Sequence, residues 1–161
     1  MNIADSEVYF YYSLTCLTAP IAGVMIGGII FGSIGGYTSK KALKLCCILG
    51  SFAVINAIPI PFLSNKITVY LLLWLVFFFG ASILPTMTGI MLNSVEIELR
   101  TTANSIATLA YNLFGYLPSP FVYGLFSDII KGDENTSHRV ALATILYYSI
   151  PAVLFTVCAY C

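Results

Sequence analysis

Long apolar runs alternate with short polar connections along almost the whole chain. Crossing a bilayer takes about 20 predominantly apolar residues, and the chain divides into runs of that length wherever charges or turn residues interrupt it. Such runs are longer than the roughly ten alternating residues of a barrel strand and therefore predict helices. We expect a single domain, an all-α membrane protein that is a bundle of five transmembrane helices. The predicted helices cover about residues 8–37, 42–63, 68–95, 101–126 and 140–160.

The composition supports an integral, multi-pass membrane protein. Of the 161 residues, 59% are hydrophobic and 9% are charged, whereas soluble domains have about 25% charged residues. Seven basic and seven acidic residues leave the net charge at zero, so nothing points to nucleic acid as a partner. The lipid bilayer is the expected environment.

The charged residues lie in the predicted connections or next to them, and none lies in the middle of a predicted helix. Lys40, Lys41 and Lys44 follow the first helix, and basic residues in short loops favour the cytoplasmic side. The last loop would then lie on the opposite side, where the sequon at Asn135 is a candidate for glycosylation. An odd number of helices places the N terminus outside and the two termini on opposite sides.

No catalytic or metal-binding pattern accompanies these helices. The sequence lacks HExxH, Walker and Ser-His-Asp arrangements, and its single histidine, His138, has no acidic or histidine partner beside it. Cys158 and Cys161 have CxxC spacing without a second pair of ligands. We expect no enzyme, no cofactor and no metal site.

Glycines recur along the first predicted helix at spacings of three to five residues. Small residues at such spacings allow two helix backbones to approach closely in lipid. An interface of this kind either packs statically or lets the helices slide, since few side chains interlock across it. The glycines are Gly23, Gly27, Gly28, Gly32, Gly35 and Gly36.

The end of this helix, "GSIGGYTSKK", resembles the cytoplasmic loop signature of the major facilitator superfamily. The matching positions are Gly32, Ile34, Gly35, Lys40 and Lys41. Gly36 stands where that signature has the acid of its charge-relay latch. The degraded form of the signature follows the eighth helix in that superfamily, so the resemblance implies a partial major-facilitator fold, helices eight to twelve.

The fourth predicted helix carries a second resemblance, to helix eleven of spinster-like transporters. These share an arginine at the start, "TA" after it, "LG" in the middle, then "SP", and "G-x-x-SD" at the exit. The corresponding residues here are Arg100, Thr102, Ala103, Phe114, Gly115, Ser119, Pro120, Gly124, Ser127 and Asp128. The organic-anion transporter branch is similar through "LPSP", and the spinster-like branch is favoured.

Polar residues form a stripe on one face of the same helix. Because an unpaired amide or hydroxyl is costly in hydrocarbon, the stripe should face protein or water. Both hydrogen bonding between helices and a solute pathway fit this pattern. The stripe is Asn104, Thr108, Tyr111, Asn112, Gly115 and Ser119, at helical spacing.

Two prolines interrupt this helix near its middle. Each removes an amide donor and clashes with a carbonyl one turn earlier, so we expect a kink and free carbonyls near Phe114 and Tyr116. The kink is either static or a moving part of a transport site. The predicted break or gate comprises Gly115, Pro118, Pro120 and Gly124.

The resemblances imply the C-terminal half of a secondary transporter that moves a small solute by alternating access. A spinster-like protein implies a lysophospholipid, sphingolipid or similar amphiphile, and the other branch implies an organic anion. Five helices do not complete such a machine, so we expect N-terminal transporter helices as partners, in the same or another chain. The alternative is a non-transporting structural or regulatory membrane subunit.

Overall fold

The computed structural model describes residues 5–34, 40–129, 134–147 and 150–151. All elements in these ranges are helical and none is a strand, which confirms the all-helical prediction for this part of the chain. The elements are α1 (Asp5–Ser33), α2 (Lys40–Ala57), a first 3-10 turn (Ile60–Phe62), α3 (Lys66–Asn93), a second 3-10 turn (Ile97–Leu99), α4 (Arg100–Tyr111), a π-turn (Asn112–Tyr116), α5 (Pro118–Ile129) and α6 (Glu134–Tyr147).

Three helical segments of the described ranges are long and apolar enough to cross a membrane. They are Phe10–Ser33, Lys41–Phe62 and Lys66–Asn93, with 24, 22 and 28 residues. At 1.5 Å per residue even the shortest reaches about 33 Å, and the hydrocarbon core is about 30 Å thick. The fourth predicted span is divided into α4 and α5, of 12 residues each, by the π-turn.

α1 and α3 pack along each other through two glycines of α1. A Cβ atom at Gly23 would meet the carbonyl oxygen of Phe78, and a Cβ atom at Gly27 would meet that of Ser82. Each step of four residues on α1 matches a step of four on α3, so the two helices run in the same direction. Any side chain at these glycines would displace backbone, so glycine is what permits this close approach.

The predicted glycine stripe is split between two sides of α1. A Cβ atom at Gly28 or Gly32 would meet nothing within 4 Å. Consecutive helical residues are rotated by about 100°, so this pair lies on a different side from Gly23 and Gly27. Gly35 and Gly36 lie outside the described residues.

Trp74 joins α3 to α1 one turn before the glycine contacts. Its Nε1 donates to Oγ1 of Thr18 at 3.0 Å, and the Thr18 hydroxyl donates to the carbonyl of Leu14 at 2.8 Å. The indole ring stacks on Phe78, with ring centroids 5.3 Å apart and planes at 11°. The hydrogen bonds give the indole N–H and the threonine hydroxyl the partners that lipid does not offer.

α3 also packs against α2, so it lies between α1 and α2. Phe52 of α2 stacks on Phe79 of α3 at 5.6 Å between ring centroids. Near the opposite end of α2, residues of all three helices form a buried apolar cluster. Its members are Phe31, Ala42 and Cys46, with Leu45, Leu49, Ile83 and Met87 packed around them.

α6 packs against the end of α2 and the first 3-10 turn. The Tyr147 hydroxyl donates to the Ile58 carbonyl at 2.9 Å, and Nη2 of Arg139 donates to Oγ of Ser64 at 3.3 Å. Carbonyls at the end of a helix lack intrahelical donors. Tyr147 therefore satisfies a carbonyl that the end of α2 leaves free.

Candidate functional site

The candidate site is the divided helix formed by α4, the π-turn and α5. The amide of Leu117 donates to the Asn112 carbonyl at 2.9 Å, five residues earlier and not four. This wider turn directly precedes Pro118, whose ring would press on the carbonyl of Phe114 in a regular α-helix. The backbone therefore departs from α-helical geometry just before the two prolines. Single π-turns are frequent at functional sites.

Asn104, Thr108, Tyr111 and Asn112 of the polar stripe are exposed, and two of these side chains bond to their own helix. Oγ1 of Thr108 donates to the Asn104 carbonyl at 2.8 Å, and Nδ2 of Asn112 donates to the Thr108 carbonyl at 2.8 Å. These bonds allow both side chains to face lipid without a partner from another helix. Thr108 and Asn112 therefore need a protein or water partner less than the sequence pattern predicts.

Asn104 and Tyr111 are stripe members whose side chains make no hydrogen bond within the described part of the chain. The Asn104 side chain is exposed and has no hydrogen bond to any other described residue. Tyr111 is 46% exposed. An amide and a phenol two turns apart are thus open to a solute, to water or to another helix.

Large apolar side chains project from the same divided helix. Phe114, Leu117 and Phe121 are each more than 70% exposed, at 74%, 72% and 71%. α4 makes few contacts with α3, and α5 packs mainly on α6. The π-turn and its neighbours therefore present both polar and apolar groups that the described part of the chain does not cover.

Other predicted site residues lie in the π-turn, α5 and α6. Gly115 lies in the π-turn, Ser119, Pro120, Gly124 and Asp128 lie in α5, and Asn135 lies in the first turn of α6. A Cβ atom at Gly124 would meet nothing within 4 Å, so no neighbouring group there requires a glycine.

The basic residues of the two motif resemblances lie at element ends. Lys40 and Lys41 begin α2, and Gly32 lies near the end of α1. Arg100 begins α4, and its Nε donates to the Val95 carbonyl at 3.5 Å, across the second 3-10 turn. Arg100 thereby helps to close the turn between α3 and α4.

No group of three or more His, Cys, Asp or Glu residues in the described ranges can hold a metal ion. Cys16, Cys46 and Cys47 are free thiols. Cys158 and Cys161, which carry the CxxC spacing, lie outside the described residues.

Comparison with protein-family models, with curated proteins and with solved structures finds no match to this chain. The candidate site therefore rests on its own residues and on the resemblance of the sequence motifs.

Two features of the structure were outside the predicted site. One is the close backbone contact at Gly23 and Gly27; the glycine spacing predicted close helix packing but not which helix would make the contact. The other is Thr86 of α3, whose hydroxyl is buried without a hydrogen bond. Its spacing from Ser82 is a sequence signal, but only the structure shows that the two hydroxyls differ in bonding.

Proposed function

We propose that this chain is the C-terminal half of a major facilitator superfamily secondary transporter, with five membrane-spanning helices equivalent to helices eight to twelve. The observation that carries the proposal is the divided helix of residues 100–129, whose π-turn directly precedes Pro118. Transporters place such interrupted helices at solute sites and gates. The motif resemblances at Arg100 to Asp128 and at Gly32 to Lys41 support the same assignment.

The proposed solute is amphiphilic, as the spinster-like resemblance implies, or else an organic anion. The exposed amide of Asn104 and phenol of Tyr111 lie on the same divided helix as the exposed rings of Phe114 and Phe121. Ligand sites combine mostly apolar walls with a few polar groups that orient the ligand. This mixture favours a lipid-like solute over a small, fully polar one.

The proposal requires further helices. Alternating access moves one repeat against another around a site near the membrane midplane. The uncovered surface around the π-turn is where we place the N-terminal transporter helices, in the same or another chain. No aspartate or glutamate lies mid-helix in the spanning segments, so a proton-coupling carboxylate would also come from those helices.

The function is tested by flux in a full-length parent that carries this sequence. Purified parent in liposomes is assayed with a fluorescent lysophospholipid and, separately, with fluorescein as an organic anion. We expect saturable uptake of one of the two, and impaired uptake with normal insertion after Pro118→Ala combined with Pro120→Ala. Unchanged flux would mean that these prolines serve helix packing and have no role in transport.

The chain contains a matched control for that double variant. Pro59 and Pro61 have the same P-x-P spacing, but they lie after the end of α2, at the first 3-10 turn, and not within an α-helix. Pro59→Ala combined with Pro61→Ala is expected to leave flux in place. Equal losses in both double variants would mean that proline removal harms folding in general.

The crossing number is tested independently of transport. Five crossings put epitope tags at the N and C termini on opposite sides of sealed vesicles. Two tags protected on the same side would refute five crossings, whatever the flux result.

The second candidate is a non-transporting structural or regulatory subunit derived from such a transporter. The self-satisfied bonds of Thr108 and Asn112 favour it, because a stripe bonded to its own helix can face lipid or pack statically. Liposomes with this chain alone should show no uptake under both proposals. Robust saturable uptake by the chain alone would refute both, and a parent that moves neither probe would favour the subunit.

A further inference from the structure

Thr86 has a buried hydroxyl that lacks a hydrogen bond. The residue is 0% exposed, and its Oγ1 is the one buried side-chain polar atom without a partner in the described part of the chain. Native structures leave few such groups, and each calls for a physical reason. In a helix within the membrane an unpaired hydroxyl is more costly, because no water is present to serve as its partner.

Eight other hydroxyls in these helices or at their ends find a partner locally. Each donates to the carbonyl four residues earlier, at 2.7 to 3.0 Å, which is the common arrangement for serine and threonine within helices. Ser82, one turn before Thr86, does this towards Phe78. The hydroxyls that follow this pattern belong to Thr18, Ser33, Ser51, Ser82, Ser94, Ser105, Thr108 and Thr144.

The acceptor that Thr86 would use is the carbonyl of Ser82, and α1 covers it. Gly27 packs directly against this oxygen, and a Cβ atom on Gly27 would lie 2.8 Å from the Ser82 Cα and 2.9 Å from its carbonyl carbon. Pro85 lies within α3 and has no amide hydrogen to donate to the Ala81 carbonyl, so α3 lacks one backbone hydrogen bond just before Thr86.

We infer that the Ser82 carbonyl is a shared acceptor that gives the α1–α3 interface two arrangements. In the packed arrangement Gly27 lies on the carbonyl, and the Thr86 hydroxyl has no acceptor. When α1 withdraws, or α3 bends at Pro85, Thr86 donates to the Ser82 carbonyl. The hydrogen bond gained in the separated arrangement offsets part of the packing that is lost.

The neighbouring contacts suit such a change. A glycine contact has no interlocking side chains, so separation requires no rotamer change at Gly23 or Gly27. Pro85 lowers the cost of bending α3 next to the shared carbonyl, because its nitrogen donates no backbone hydrogen bond. The two arrangements involve only α1 and α3, so they do not depend on whether the chain belongs to a transporter.

The first test replaces the hydroxyl by a methyl group of the same shape. Thr86→Val should leave stability in mixed micelles unchanged or raise it, since no bond is lost in the packed arrangement. Thr86→Ser keeps the hydroxyl but removes a buried methyl group, so it should lose stability where Thr86→Val does not. Thr88→Val on the same helix is the matched control. A loss of stability in Thr86→Val that exceeds the control would overturn the inference, because it means the hydroxyl is bonded when the helices are packed.

The second test forces the helices apart. In Gly23→Ala the new methyl meets the Phe78 carbonyl and pushes α1 away from α3 one turn before the Ser82 carbonyl, which frees that carbonyl for Thr86. Adding Thr86→Val to that variant should therefore raise the unfolding equilibrium constant by about fivefold, the effect of one net hydrogen bond. The same addition to Gly28→Ala, where the methyl meets nothing, should have no such effect. Equal effects of Thr86→Val in both backgrounds would overturn the shared acceptor.

A third measurement needs no glycine substitution, in case the variant of α1 fails to fold. Trp74 is the single tryptophan and bonds to Thr18 of α1, so 5-fluorotryptophan gives a 19F resonance for each environment of this interface. We expect a minor resonance in the wild type whose fraction falls in Thr86→Val and stays constant in Thr88→Val. A fraction that is the same in all three proteins, or a single resonance throughout, would overturn the inference.

Discussion

Replacing Gly27 by alanine should separate α1 from α3 and destabilise their packing. The new Cβ atom would lie 2.8 Å from the Cα of Ser82 and 2.9 Å from its carbonyl carbon, whereas carbon atoms in contact prefer about 3.5–4.0 Å. Relief requires a separation of about 1 Å, and a gap of that size forfeits about a quarter to a half of the dispersion attraction between facing atoms.

The expected cost is about 1–3 kcal/mol, the usual range for a methyl group added to a tightly packed site. Alanine also favours the helix over glycine by up to about 1 kcal/mol, which works against this cost. Gly28→Ala has the same propensity gain without the clash, because its Cβ atom would meet nothing within 4 Å. The difference between the two variants therefore isolates the contact with Ser82.

The assay is equilibrium unfolding in mixed micelles with increasing dodecyl sulfate, followed by far-UV circular dichroism and by the fluorescence of Trp74. The indole bonds to Thr18 of α1, so its signal reports the α1–α3 interface, and circular dichroism reports all helices. Gly27→Ala should unfold at a lower detergent fraction than both the wild type and Gly28→Ala. Coincident curves for the two variants would refute the glycine contact as the basis of α1–α3 packing.

Two further variants test single hydrogen bonds. Trp74→Phe removes the indole donor to Thr18 but keeps a ring against Phe78, and should cost about 0.5–1.5 kcal/mol by circular dichroism. A cost that stays the same in a Thr18→Val background would show that the bond contributes nothing. Tyr147→Phe removes the donor to the Ile58 carbonyl and should speed amide exchange around the first 3-10 turn without changing exchange at the α1–α3 contact. Unaltered exchange at that turn would contradict the role given to Tyr147.

The helical secondary structure of the described residues and the approximate extent of these helices were predictable from the sequence alone. Within a helix each backbone hydrogen bond closes over four residues, so a long apolar run carries the information for a lipid-exposed helix locally. The position of the helix interruption followed in the same way from Pro118 and Pro120. The form of the interruption, a π-turn that starts at Asn112, was not predictable, because several local hydrogen-bond patterns accommodate a proline.

The polar stripe shows a different limit. Its residues share one helix face by spacing, and the sequence could not tell whether their groups were already satisfied. Thr108 and Asn112 bond to carbonyls of their own helix, while Asn104 does not. These choices depend on side-chain rotamers, which the residue types alone leave open.

By itself the sequence determined an apolar, helical chain, since length and hydropathy are properties of each segment. Of the five spans that it predicted, the described ranges contain three helical segments long and apolar enough to cross a membrane. The sequence also placed four glycines of α1 in two equivalent-looking pairs. Only the tertiary structure decided that Gly23 and Gly27 meet α3 while Gly28 and Gly32 do not. The reason is physical: the contact depends on how α1 is rotated about its own axis against α3, and that rotation is set by the packing of both helices together.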